Sequence, residues 1–179
     1  VGVRYIWPLQ KSPPPGNQQL AIHCEMYPLS TIAKVLNVEG NFPPDAVVST
    51  LLIDSRKVSS AATSVFFALK GERNDGHHFI SELYEKRVRH FVVSDRIENK
   101  TFPKANFLVA PDTKEALQKV AAFHRQQFQI PVIGITGSNG KTIVKEWLHQ
   151  LLAKKFSIAR SPKSYNSQVG VPLSVWQLS

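Results

Sequence analysis

The sequence predicts an α/β protein in which a small α/β domain is followed by the start of a second, loop-bearing domain. Two observations support this fold class. From residue 30 onward, short β-branched apolar segments alternate with segments of helical periodicity. In addition, residues 134–142 read GITGSNGKT and lie between an apolar run and an amphipathic segment. With 179 residues, the chain is long enough for one domain and part of another.

The first domain is predicted at residues 26–128. Ser30 is expected to cap a short helix that runs through Ile32 to Leu36. Strands are predicted at 47–53, 65–69, 91–93 and 107–109, and a helix at 79–86. Asp112 and Glu115 form a capping-box-like start for a further helix that extends through Phe123. Strands and helices alternate in this region, as in an α/β domain.

The second domain is predicted at residues 129–179, of which only the beginning is present. Residues 129–133 read QIPVI and are expected to form a buried strand. Apolar residues then recur at helical spacing, which predicts a helix containing Ile143, Val144, Trp147, Leu148, Leu151 and Leu152. We expect the sheet around residues 131–160 to lack partner strands in this chain.

The first 25 residues differ in character from the rest of the chain. Residues 11–17 read KSPPPGN, which favours neither a helix nor a central strand, and no periodicity is sustained. We therefore expect residues 1–25 to be mostly disordered or a non-native extension. The only methionine, Met26, is hypothesised to be the natural start, so deleting residues 1–25 should leave the thermal stability unchanged.

The stretch at 134–142, here called the phosphate loop, predicts binding of a nucleoside triphosphate. Small residues allow successive backbone N–H groups to point into one concavity, and the positive end of the next helix faces the same place. Lys141 is expected to reach the β- and γ-phosphates, and the Thr142 hydroxyl to enter the shell of Mg²⁺. The predicted nucleotide-binding residues are Thr136, Gly137, Ser138, Asn139, Gly140, Lys141 and Thr142. The strict motif has glycine where this chain has Ile135, so the loop is a variant.

The spelling of this loop, TGSNGKT followed by VKE at 144–146, resembles the ATP loop of the Mur ligases, the cytoplasmic amino-acid-adding enzymes of peptidoglycan synthesis. Further segments are similar to the first domain of that family in the same order: 53–58, 65–73, 75–79 and 111–117. Residues 165–173, YNSQVGVPL, resemble the family's asparagine-glycine-proline segment, although Ser167 and Gln168 replace the usual Asn and acidic residue. The resemblance covers about residues 26–179.

The resemblance implies a UDP-substrate domain followed by the start of the family's central ATPase domain. The subgroup most similar to this chain adds D-alanyl-D-alanine to a UDP-N-acetylmuramoyl tripeptide. It uses ATP and Mg²⁺ to form an acyl phosphate, which the amine of the dipeptide then attacks. Lys141 and Thr142 would be the catalytic residues present, and the 179-residue chain is expected to be an inactive fragment. The spelling is also similar to forms followed by an alanine racemase, which no residue here establishes.

By the same resemblance, the UDP portion would be held by residues that follow two predicted strands. The candidates are Asp54, Ser55, Arg56, Gly71, Asp75, His77 and Asn166. Ser55 and Arg56 can offer a hydroxyl and a guanidinium to uracil or diphosphate oxygens. A turn closed by an internal salt bridge explains the same three residues at 54–56 equally well. Asp75, His77 and His78 lie on one loop without a partner cluster, so we reject a zinc site.

Composition and charge leave several alternatives open. The net charge of +9 attracts phosphate, but the basic residues are scattered, so we expect no nucleic-acid partner. We expect no membrane span, a cytoplasmic protein because Cys24 has no disulfide partner, and a monomer. The competing functions are another Mur-type ligase such as the third-residue-adding enzyme, a folate-polyglutamate ligase, and a non-catalytic nucleotide-binding module.

Overall fold

The computed structural model describes residues 4–11, 26–71, 74–98, 100–161 and 167–179. The chain divides into two compact units, one of residues 24–120 and one of residues 1–23 together with 121–179. This division falls inside a helix, whereas the sequence predicts a domain boundary at 128/129. The predicted domain limits stay a prediction. Among the described residues, no helix is long and apolar enough to cross a membrane.

The unit of residues 24–120 contains a parallel four-stranded sheet and a two-stranded ribbon. The ribbon pairs β2 (Tyr27–Pro28) with β3 (Val47–Val48) in antiparallel orientation. The sheet has the order β4-β5-β6-β7, with strands Thr50–Leu52, Ser64–Phe67, His90–Val93 and Asn106–Val109. The helices are α1 (Leu29–Val35) and α2 (Ile80–Glu85), with short 3₁₀ turns at Ala61–Thr63 and Gly76–Phe79. Helix α3 (Thr113–Gln126) begins in this unit, and the division between the units falls within it.

The core of this unit forms between the sheet and α2. Strands β5 and β6 are buried along their whole length, as expected for parallel strands that are covered on both faces. Phe66 packs edge-to-face on Phe91, with ring centroids 6.4 Å apart. The core residues are Leu52, Phe66, Ala68, Ile80, Leu83, Val88, Phe91 and Val93. Because the core fixes the strands, it also fixes the loops at their carboxyl ends.

Local capping explains where these helices begin. Asp112 Oδ1 accepts hydrogen bonds from the N–H groups of Lys114 and Glu115, so the predicted start of α3 is confirmed. The predicted cap at Ser30 is wrong, because α1 begins at Leu29 after Pro28 and Ser30 lies inside its first turn. The predicted strand at 47–53 is split into β3 and β4.

The unit of residues 1–23 and 121–179 contains a three-stranded sheet of order β8-β1-β9. The strands are β1 (Arg4–Lys11), β8 (Ile133–Ile135) and β9 (Phe156–Arg160). Since β1 is antiparallel to both neighbours, β8 and β9 run in the same direction. Helix α4 (Lys141–Leu152) connects them, and α5 (Gly170–Val175) follows.

Three sequence expectations for this unit are wrong. Residues 4–11 form the central strand of the sheet, so disorder does not apply to them, and β8 and β9 do have a partner strand. The remainder of residues 1–25 lies outside the described residues. The strand before the phosphate loop spans Ile133–Ile135 rather than 129–133, and it is only half-buried. Backbone pairing with β1 selects the later residues, a long-range effect that local periodicity does not reveal.

Helix α4 has the predicted position, and the structure also shows which of its side chains are buried and which are exposed. Its apolar residues Ile143, Val144, Trp147 and Leu151 are exposed. Lys145 is 1% exposed and lies on the buried side. The side of α4 that packs on the sheet therefore includes a charged group.

Candidate functional site

The phosphate loop begins directly after β8 and ends at the first residue of α4. Gly137 has φ +146° and Gly140, which caps α4, has φ +75°. Both values lie where a side chain is disfavoured, so glycine is required for this loop conformation. Ser138, Asn139 and Gly140 are exposed. The loop is therefore neither extended nor packed away from solvent, as nucleotide binding requires.

Lys141 lies over the main chain of the loop. Its Nζ donates hydrogen bonds to the carbonyl oxygens of Gly137 and, at 3.2 Å, of Ser138. The ammonium group is thus held against the carbonyl oxygens of the loop rather than in bulk solvent. Thr142 is exposed in the first turn of α4. The two residues place a cation and a hydroxyl at the same end of the helix.

The amino end of α4 adds a favourable field at this position. The first N–H groups of a helix have no partner within the helix, and the helix dipole makes that end positive. No acidic residue lies in the first turn of α4. The helix end and Lys141 together make this end of α4 positive, which is suited to a phosphate chain.

A second group of candidate residues follows β4 in the other unit. Asp54 accepts hydrogen bonds from the Arg56 backbone N–H at 3.1 Å and from Arg56 Nε and Nη2, each at 2.9 Å. These side-chain and backbone bonds lower the pKa of Asp54 to about 2. Ser55 is buried, and its carbonyl accepts a hydrogen bond from Lys86 Nζ at 3.0 Å. The internal salt bridge therefore exists, while the Arg56 side chain stays 83% exposed.

The loop after β5 brings Asp75 and His77 together. Asp75 Oδ1 accepts from the His77 backbone N–H at 2.9 Å and lies 2.5 Å from His77 Nδ1. The backbone bond, followed by the ring contact, lowers the pKa of the Asp75 carboxyl. His77 Nε2 in turn accepts the backbone N–H of Ser94, at the end of β6. The two side chains thus join the ends of β5 and β6.

Gly76 is required between these two residues because of a close backbone approach. A Cβ at this position would lie 2.8 Å from Ala68 Cα and from the Leu69 nitrogen. The Gly76 N–H donates to the Leu69 carbonyl at 2.9 Å. By contrast, a Cβ on Gly71 would meet no atom closer than 3.6 Å. The sequence DGH at 75–77 therefore has a folding role that does not depend on any ligand.

The structure gathers the candidate residues into separate local groups. Asp54 and Arg56 contact each other, as do Asp75 and His77, and the residues of the phosphate loop are adjacent. Asn166 lies outside the described residues. Whether the other residues bind substrate stays a prediction.

Sequence reasoning missed two residues that organise these groups. Thr113 Oγ1 donates to the Ala68 carbonyl at 3.0 Å, beside Gly76, and Lys145 is the buried lysine of α4, the helix that follows the phosphate loop. The lysine stands on the side of α4 that packs on the sheet, and only the helical phase could have indicated it. The threonine gave no signal, because its contact joins residues far apart in sequence.

The oxygen groups of this chain fit Mg²⁺ only in part. Thr142 offers one hydroxyl, and Mg²⁺ in nucleotide sites takes few protein ligands and retains several waters. Among the described residues, no three His, Cys, Asp or Glu side chains lie close enough together to form a metal site. A magnesium ion at the phosphate loop would therefore depend on Thr142 and the phosphates themselves.

Both the sequence and the fold of this chain are similar to those of known Mur ligases. Residues 47–125 match the model of the Mur ligase family, catalytic domain. The chain is 36% identical over 139 residues to the UDP-N-acetylmuramoyl-tripeptide--D-alanyl-D-alanine ligase of Synechocystis sp., covering 78% of this chain and 30% of that protein. The chain thus spans less than a third of the length of this relative.

Solved structures agree with the sequence relatives. MurF from Acinetobacter baumannii superposes with a TM-score of 0.72 at 25% identity, covering 87% of this chain and 34% of that protein. MurF ligase from Thermotoga maritima, solved in complex with ADP, gives a TM-score of 0.53 at 27% identity, covering 71% of this chain and 28% of that protein. The names of these relatives mention no alanine racemase, so the similarity to racemase-fused forms has no support from them.

Proposed function

We propose that this chain, which belongs to the Mur ligase family, carries the UDP-substrate unit and the ATP loop of an amide-forming ligase. The complete enzyme would add D-alanyl-D-alanine to a UDP-N-acetylmuramoyl tripeptide in peptidoglycan synthesis. The Synechocystis relative carries this activity in its name, which favours it over the third-residue-adding enzyme and over a folate ligase. The remaining activity requires parts of the relatives that this chain does not span.

One observation supports the nucleotide part of this proposal above all others. The phosphate loop follows the carboxyl end of β8 and contains two glycines at positive φ. It ends at Lys141, the first residue of α4, whose Nζ bonds back to the loop main chain. The Thermotoga relative was solved with ADP, which agrees with a nucleotide site in this family.

In the proposed reaction, the γ-phosphoryl group of ATP passes to the terminal carboxylate of the tripeptide and ADP leaves. The amine of D-alanyl-D-alanine then attacks the acyl phosphate, releasing phosphate and a proton and forming the amide. Lys141 and the loop amides stabilise the charge on the transferred group by position and electrostatics. Magnesium, when bound at Thr142, neutralises part of the charge on the phosphates.

The UDP portion is proposed to bind at the strand ends of the unit of residues 24–120. The exposed guanidinium of Arg56, oriented by Asp54, is suited to a diphosphate, since a planar fork matches two phosphate oxygens. Gly71 lies on the neighbouring loop, and Asp75 and His77 are proposed to act mainly by shaping that loop. A monomer located in the cytoplasm, where ATP and UDP-sugars are available, completes the proposal.

The proposal is tested by measuring binding of ATP with Mg²⁺ to the 179-residue chain by calorimetry. Lys141→Ala should weaken binding about 10- to 100-fold, the loss expected for a charge-assisted hydrogen bond of about 1.5–3 kcal/mol. Lys119→Ala is the matched control, because Lys119 is an exposed lysine that pairs with Glu115 on α3. In an enzyme that contains the missing parts, Lys141→Ala should abolish ligation while UDP-substrate binding stays measurable. Equal ATP affinity of the wild type and Lys141→Ala would contradict the assigned role.

A further inference from the structure

Lys145 is a buried lysine that the proposed reaction does not use. It lies one helical turn after Lys141 on α4, and it is 1% exposed. Burying an ammonium group is costly unless charges and hydrogen bonds compensate it. A methionine or leucine would pack in such a place without that cost. The position of the charge therefore calls for an explanation.

The partners of Lys145 join α4 to the end of β9. Its Nζ donates to the backbone carbonyl of Ser161 at 2.8 Å and lies 3.1 Å from Glu146 Oε1. Glu146 Oε2 pairs in turn with Arg160, the last residue of β9. The three charged side chains form one network across the helix and the strand. This network anchors the main chain where the chain leaves the sheet after Arg160.

This point lies at the same edge of the sheet as the phosphate loop. Ile135, the last residue of β8, pairs with Arg4 of β1, and Arg160, the last residue of β9, pairs with Ile6, so the two strands end only two residues apart along β1. Strands β8 and β9 run in the same direction. After β8 the chain continues into the phosphate loop at Thr136, and after β9 it continues through Ser161. Ligands of α/β sheets bind outside the carboxyl ends of the strands.

Ser161 is held by its backbone rather than by its side chain. Its hydroxyl is buried and has no hydrogen-bond partner within the part of the chain that the structure describes. The carbonyl bond to Lys145 links this residue to α4. Removing the ammonium would release the strand end and the first turns of the helix together.

We propose that Lys145 is a positioning residue for nucleotide binding. Its buried ammonium fixes α4 against the end of β9 and so holds the phosphate loop at the start of the same helix in its binding conformation. The inference rests on the proposed function, because it assumes that this loop binds ATP. Lys145 itself lies below the loop and acts through Ser161 and Glu146.

The test compares Lys145→Met with Lys145→Arg and Ser174→Ala in the 179-residue chain. Ser174 is a buried residue of the same unit whose hydroxyl donates to the Gly170 carbonyl, so its loss destabilises α5 without touching the network. At a temperature where circular dichroism shows every variant folded, Lys145→Met should weaken binding of ATP with Mg²⁺ about tenfold. Lys145→Arg should recover part of the loss, and Ser174→Ala should bind like the wild type.

Amide hydrogen exchange gives a readout that does not need ligand. Lys145→Met should accelerate exchange at residues 136–140 and 156–161, whereas Ser174→Ala should not. If the wild type binds ATP and Lys145→Met binds equally well, the inference is overturned and the proposed function stands. If the wild type binds no ATP, the proposed function fails. In that case unchanged exchange at 136–140 in Lys145→Met would also overturn the positioning role.

Discussion

The strand ends after β4 and β5 and the phosphate loop differ in whether their polar groups are already paired. At the ends of β4 and β5, Asp54 is bonded to Arg56 and Asp75 to His77, so the polar groups largely satisfy one another. In the phosphate loop, exposed main chain and a helix end are presented to solvent, and glycines hold them there. Polar groups of the first kind are engaged with each other before any ligand arrives. Those of the second kind are proposed to meet an anion.

The largest effect is expected from removing β1. Deletion of residues 1–11 takes away the central strand of the sheet that carries the phosphate loop, and two separated short strands are not stable alone. Hydrogen exchange should lose protection at 133–135 and 156–160 but keep it at 64–67 and 90–93. Unchanged protection in both units would instead support the sequence-based expectation that residues 1–25 do not affect stability.

A glycine substitution in the loop after β5 should reduce the stability of the fold without acting on nucleotide binding. Gly76→Ala places a methyl group 2.8 Å from the backbone of Ala68, which should cost about 1–3 kcal/mol of unfolding free energy. Gly71→Ala has room and should change the free energy little, which makes it the matched control. Urea unfolding followed by circular dichroism measures both. Equal stability of the two variants would show that the loop can shift to accommodate the methyl group.

A glycine substitution in the phosphate loop should act on binding. Gly140 has φ +75° with open space around its Cβ position, so Gly140→Ala meets conformational strain of about 1–2 kcal/mol and no clash. We expect about a tenfold loss of ATP affinity in calorimetry. Gly140→Asn should lose less, because asparagine tolerates this conformation better. If both variants bind as the wild type does, the loop conformation is not what determines affinity.

Arg56 gives a smaller and more specific prediction. Arg56→Ala removes an exposed ion pair, so the melting temperature should change little. If the guanidinium holds the diphosphate, the affinity for a UDP-sugar should fall about tenfold, a loss of about 1.4 kcal/mol in binding. Lys57→Ala is the control, since Lys57 also pairs with Asp54, at the longer distance of 3.9 Å. Equal affinity of the two variants would remove Arg56 from the substrate site.

The smallest effect concerns pH. Burial lowers the pKa of His90, whose ring lies 3.1 Å from Asn106 Nδ2. Because the unfolded chain then binds the proton more readily, this contribution to stability is present above the unfolded pKa of about 6.5 and is lost as pH falls below it. Urea unfolding at pH 7 and 5.5 should show a decrease that His90→Gln reduces. The same slope in both proteins would assign the decrease to other groups.

Local patterns predicted what depends on neighbours in sequence. The cap at Asp112, the buried strands around Phe66 and Phe91, and helix α4 all follow from spacing within a few residues. The start of β8 was predicted too early, since its pairing partner lies about 130 residues away in β1. The buried position of Lys145 likewise depends on Ser161, in a later element. A local sequence pattern does not show which distant residues will pair, so features that depend on such pairing could not be predicted.

The central place of β1 has a consequence for how the chain acquires its structure. Arg4 pairs with Ile135, and Lys11 with Phe156, so the chain must be synthesised as far as Phe156 before this strand has both neighbours. Contacts of such long sequence separation form slowly, because the loop entropy is lost before the pairing is gained. On the ribosome, the first strand would wait unpaired while residues 26–120 fold, and it would be open to aggregation during that interval.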